Sequence, residues 1–177
     1  MGNPGPRYAG TPHNVGFDVA RELVRRWDLA KPRNKYAGEL SEGRTRAGGP
    51  RVAVLLPQTY MNEAGRSVGP ACGAYKLDHG HLIVVHDEID LKFGEIRSRL
   101  GGGLAGHNGL KSLKRELGGV DFHRIRVGVG RPDSTDPEIV AAYVLGRWRQ
   151  TVSEVADLIG RAADEVEHLL EQSPGDA

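Results

Sequence analysis

Short apolar runs separated by stretches of helical spacing constrain this chain more than any other feature. The runs are Arg51-Val52-Ala53-Val54-Leu55-Leu56, stopped by Pro57, then Leu82-Ile83-Val84-Val85-His86, and the alternating segment Phe122 to Val129, ended by Gly130. Runs of this length suit buried strands. Phe17, Ala20, Leu23, Val24 and Trp27 recur at helical spacing, which predicts a helix over residues 15–28. Further helices are expected over 63–76, with Val68, Ala71, Cys72 and Tyr75 inward, and from Asn108, which can act as a cap, with Leu110, Leu113 and Leu117 on one side. Residues 139–144 and 152–170 supply two more, residues 172–177 should fray, and Tyr36 to Arg46 reads as a weak, partly exposed strand. Strands alternating with helices imply α/β architecture, a twisted, mixed and mostly parallel sheet flanked by helices. At 177 residues, with neither repeat nor linker, one domain over 1–177 is expected, within the usual span of roughly 100–200 residues.

In such sheets polar groups gather at the carboxyl ends of the strands. That directs attention to Gln58–Asn62, to His86 with Asp87, and to Gly130 with Arg131. His13 stands in a loop just before the first helix. A neutral imidazole beside a carboxylate can take a proton from water, because the carboxylate stabilises the imidazolium that forms. Asp87 is the best-placed carboxylate. No Gly-x-Ser-x-Gly elbow is present, and the single cysteine, Cys72, lies on an inner helical stripe, so a hydrolase built on this chain would use water as its attacker. His79, His81, His86, Asp87 and Asp90 raise the question of a metal. No His-Glu-x-x-His helix or cysteine pair completes a set, so neither a metal nor a cofactor is expected. Asn3, Asn62 and Asn108 can each donate to a carbonyl and accept from an amide, which suits a peptide-like substrate; each is equally at home as a turn or cap residue.

The net charge of +1 conceals a division. Residues 92–131 hold 9 basic against 3 acidic groups, net +6, whereas 132–177 hold 3 against 10, net −7. Gly101–Gly103 lies in the basic stretch between Arg99 and Lys111, and glycines flanked by cations suit a phosphate–ribose backbone. No apolar run approaches a membrane span, and Met1–Gly5 has neither the basic nor the apolar part of a signal peptide. One cysteine permits no internal disulfide, so a cytoplasmic, membrane-free location is expected.

Taken in order, several segments resemble bacterial peptidyl-tRNA hydrolases. They are Gly2-Asn3-Pro4-Gly5 with Tyr8, Thr11-Pro12-His13-Asn14-Val15-Gly16, Thr59-Tyr60-Met61-Asn62, His86-Asp87-Glu88-Ile89-Asp90, Gly106-His107-Asn108-Gly109-Leu110-Lys111-Ser112-Leu113, and Arg126-Val127-Gly128-Val129-Gly130-Arg131-Pro132. The resemblance runs from residue 2 to about residue 170. It implies hydrolysis of the ester between a peptide and the 3′-terminal ribose of tRNA. It implies His13 as general base on water and Asp87 as its orienting partner. Asn3 would read the substrate's first amide, Asn62 and Asn108 would position substrate and water, and Tyr8 and Tyr60 would line the adenosine and peptide path. Arg99 and Arg131 match positions associated with tRNA phosphate, and a monomer is implied.

Two departures stand out. Pro12 replaces the family's usual arginine before the histidine; it fixes its own φ and biases Thr11 toward extended backbone. Only Met1 precedes Gly2, where the family carries an apolar strand, so the native protein is expected to start upstream. Two other functions fit the same residues: a non-catalytic RNA-binding scaffold resembling a splicing factor, and a hydrolase of small esters.

Overall fold

Chain order in the computed structural model, which describes residues 1–172, is α1 (Val15–Arg26), β1 (Arg33–Lys35), β2 (Gly38–Arg44), β3 (Arg51–Pro57), α2 (Gly65–Tyr75), β4 (Ile83–Glu88), β5 (Ile96–Leu100), α3 (Asn108–Leu117), β6 (His123–Gly128), α4 (Pro137–Leu145) and α5 (Val152–Gln172). The strands form two three-stranded sheets, ordered β1-β2-β3 and β4-β6-β5. The α/β class, the mixed pairing and the flanking helices agree with the sequence. The parallel share is smaller than expected: β4 and β6 are parallel, whereas β1–β2, β2–β3 and β5–β6 are antiparallel.

β6 organises the core because its side chains alternate between faces. On one face Ile125 and Val127 pack with Val15, Val19 and Leu23 of α1 and with Leu158, Ala162 and Val166 of α5. On the other, Phe122, just ahead of the strand, packs with Leu110 and Leu113 of α3 and Val68 of α2. Phe122 is fully enclosed, a burial that stabilises by about 1.5–3 kcal/mol. α3 stops at Gly118, whose φ of +75° closes the helix left-handedly without a Cβ clash.

Several elements differ from expectation. Tyr36 is no strand residue. With Ala37 it forms the tip of the β1–β2 hairpin, both at positive φ (54° and 50°). β1 and β5 are additional strands, exposed along most of their length. The cap of α3 is His107, not Asn108, because the His107 ring accepts from the Leu110 amide. β3 is half-exposed rather than buried. It does not pair with β4, and Met1 lies against β4 at that edge, its amino group donating to the Val85 carbonyl at 2.7 Å. Of the segment expected to fray, Gln172 is the last residue of α5, and 173–177 lie outside the described residues.

Candidate active site

His13 sits in a short 3-10 turn, Pro12–Asn14, that leads into α1. Proline suits the first position of such a turn, and Thr11 before it is extended (φ −102°, ψ 155°), as a residue ahead of proline should be. α1 then lies close on β4, because Gly16 faces the Val85 carbonyl and Met1 where any Cβ would meet backbone at 2.2–2.6 Å. This approach carries His13 to Asp87, near the carboxyl end of β4. Its Nδ1 stands 2.9 and 3.0 Å from the two Asp87 carboxylate oxygens.

A second imidazole shares the same carboxylate. His107 Nε2 is 3.0 Å from Asp87 Oδ1, while His107 Nδ1 accepts from the Leu110 amide. The amide bond leaves Nδ1 bare, so the proton sits on Nε2 and is donated to Asp87. Burial opposes charge on Asp87, but attraction to His13 and His107 and their hydrogen bonds outweigh it and hold the carboxyl well below the usual range. A carboxylate accepting from Nδ1–H of His13 turns that ring's Nε2 into a free lone pair. His107 went unread as a site residue in the sequence because its role depends on α3 folding back over the end of β4. Its signal lay in the adjacency of His107 to Asn108.

His13, Asp87 and His107 are also the group among the described residues that could hold a cation, with ligand atoms within 4.8 Å of one another. The set differs from His79, His81 and Asp90, which the structure leaves outside it. A cation there would have to displace the Nε2 proton of His107 while the ring keeps its helix-capping bond, which a neutral imidazole cannot do. The donor set fits a proton relay better than a metal. Cys72 is buried, which pushes its thiol pKa up and away from nucleophilic use.

The remaining expected residues fall into three groups. Asn3 is buried, its Oδ1 accepting from the Met61 amide at 2.7 Å. Asn62 and Asn108 are exposed; Asn108 follows His107 of the cluster, whereas Asn62 follows Met61, the partner of Asn3, and the two segments meet because Gly109 lets α3 approach Met61. Tyr8 is half-buried and Tyr60 is 60% exposed, both in the loops that carry Asn3 and Asn62. Arg99 lies on β5 opposite Arg124 of β6, and Arg97 opposite Arg126, so four guanidinium groups share one sheet face. Arg97 pairs with Glu95, Arg126 with Glu88, and Arg124 donates to the Gly101 and Gly103 carbonyls. Among the described residues no carboxylate stands within ion-pair distance of Arg99, whereas Arg131 is bound to Asp90 at 2.7 Å.

Fold and cluster together define an α/β protein whose histidine–aspartate pair can act on water without a protein nucleophile. The chain belongs to the peptidyl-tRNA hydrolase family, whose sequence profile matches residues 1–177. A peptidyl-tRNA hydrolase of Syntrophotalea carbinolica is 44% identical over 173 residues, covering 97% of this chain and 88% of its own. That of Mycolicibacterium smegmatis is 45% identical over 175 residues, covering 97% and 89%. The crystal structure of peptidyl-tRNA hydrolase from Acinetobacter baumannii superposes with a TM-score of 0.82 at 37% identity, over 96% of this chain and 83% of that one. A peptidyl-tRNA hydrolase in complex with N-propanol gives 0.83 at 37% identity, over 97% and 84%.

Proposed function

We propose that this chain hydrolyses the ester between a peptide and the 3′-terminal ribose of tRNA, with His13 as general base. The contact between His13 and Asp87 carries the proposal, because it leaves one imidazole lone pair free beside a buried negative charge. His13 Nε2 takes a proton from water, whose oxygen attacks the ester carbonyl carbon. Asp87 stabilises the imidazolium so formed. As the tetrahedral intermediate collapses, the ribose oxygen leaves and takes that proton back, which restores the base. Asn62 and Asn108 donate to the carbonyl oxygen and hold the water.

Asn3 commits Oδ1 to Met61, so its Nδ2 is the group that meets the substrate's first peptide carbonyl. Tyr8 and Tyr60 line the adenosine and peptide path. Arg99, unmatched by a carboxylate and crowded by like charge, takes phosphate. Arg131 contributes less, since it shares Asp90. The substrate is thus peptidyl-tRNA, handled by a monomer in the cytoplasm, and no helix among the described residues is long and apolar enough to cross a membrane.

The test compares tRNA carrying an N-acetylated aminoacyl group with the same tRNA carrying a free amino group. The native protein is expected to release the acetylated group and largely spare the free one, and Asn3→Ala to narrow that difference. Equal turnover of both by the native protein would overturn the assignment.

A further inference from the structure

We propose that Asn14 is a positioning residue that locks Asn3, and through it the Met61–Asn62 turn, to the segment carrying His13. Asn14 occupies the N-cap of α1, where an asparagine side chain ordinarily accepts from an amide in the first turn of the helix. It makes no such bond. Both ends of its amide go to Asn3: the Asn3 amide donates to Oδ1 at 2.8 Å, and Nδ2 donates to the Asn3 carbonyl at 2.9 Å.

Two antiparallel bonds fix orientation as well as distance, and the side chain is sealed at 2% exposure. Asn3 in turn accepts from Met61. A continuous brace therefore runs from the chain neighbour of His13, through Asn3, to the chain neighbour of Asn62. It sets the distance between the water-activating base and the groups proposed to hold the peptide. A helix that forgoes its cap in favour of such a contact breaks a local rule, and broken local rules concentrate at functional sites. Asn14 touches neither the His13 ring nor Asp87, so it acts on geometry and not on proton affinity.

This inference rests on the proposed roles of His13 and Asn3, and its test separates the two. Asn14→Ala and Asn14→Asp are assayed on N-acetylaminoacyl-tRNA across pH, and exchange of the Met61 amide hydrogen is followed in the same variants. Trp27→Phe, which loses the Trp27–Glu167 hydrogen bond at the far end of α1, controls for general loosening. In Asn14→Ala kcat is expected to fall by about 10–100-fold, the penalty of a misplacement near 1 Å. KM should move by less than about threefold, the pH profile should keep its shape, and Met61 exchange should quicken by about tenfold or more.

The carboxyl introduced by Asn14→Asp, once protonated, reproduces both bonds, so the kcat of that variant relative to native should rise as pH falls. Asn14→Ala should show no such recovery, and Trp27→Phe should keep native kcat. Four results would each overturn the role: kcat in Asn14→Ala within about twofold of native, unchanged Met61 exchange there, a shifted pH profile, or an equal loss in Trp27→Phe. A native protein inactive on this substrate would defeat the proposed function instead, and Met61 exchange would still decide the brace.

Discussion

At the scale of single residues, the neutral state of His86 has a measurable consequence. Its Nδ1 donates to the Asp87 carbonyl at 2.8 Å, and its buried Nε2 has no partner among the described residues. Protonation would bury an N–H without an acceptor, and burial, aided by His107, pushes its pKa down to about 3. A basic group whose folded pKa is depressed binds more protons when unfolded, so its stabilisation is complete above the unfolded value of roughly 6.5 and drains as pH falls toward 3. Stability should therefore drop by up to about 1.4 kcal/mol per pH unit in that window. Denaturant titrations from pH 7 to pH 4.5 measure the slope; His86→Asn, which keeps the donor and cannot titrate, should flatten it without abolishing it. An unchanged slope would show that His86 does not titrate on unfolding. The pairing of His13 with Asp87 was legible only through the resemblance and not from spacing, and the sharing of Asp87 with His107 was not legible at all, since each bond joins segments far apart in the chain.

At the scale of elements, the packing of α1 on β4 makes the site. Gly16 has ordinary backbone conformation but no room, since the atoms facing it are backbone atoms that cannot step aside. Gly16→Ala should cost about 1–3 kcal/mol or more, roughly 2–12 °C in midpoint for a chain of this size. It should also reduce turnover by lifting His13 from Asp87. Scanning calorimetry and the release assay check both, and a native midpoint with native turnover would contradict this account of the site. Legibility among the elements followed burial. α1, α3 and α5 announced themselves because each has one apolar stripe against the core. β5 did not, because Arg97, Ser98 and Arg99 carry polar groups on both parities of an exposed edge. β1 is exposed throughout. The hairpin tip was hidden because Tyr36 and Ala37 take a conformation that usually signals Gly or Asn.

At the scale of the whole molecule, the two sheets meet under a shared apolar layer. Val52 and Val54 of β3 and Ile83 and Val85 of β4 all pack against the core built by α1, α5 and β6. Residues 1–3 tie their carboxyl ends together through Met1 to Val85 and Asn3 to Met61. The sheets part beside Met1; short apolar runs could not reveal that most of their ladders are antiparallel, because pairing direction depends on connections and edges. Charge is also partitioned at this scale. Four arginines gather on the β5–β6 face, whereas acidic groups are spread along α5, so a polyanion has one face to prefer. All of this serves one claim, that His13 activates water against an ester carried on tRNA. Its most direct test is the rate at which an N-acetylated aminoacyl group is released from tRNA, in chelator, by the native protein and by His13→Ala, with tRNA binding measured beside it. The account predicts chelator-resistant release by the native protein, near-complete loss in His13→Ala, and binding retained by both. Equal release by the two proteins would contradict it.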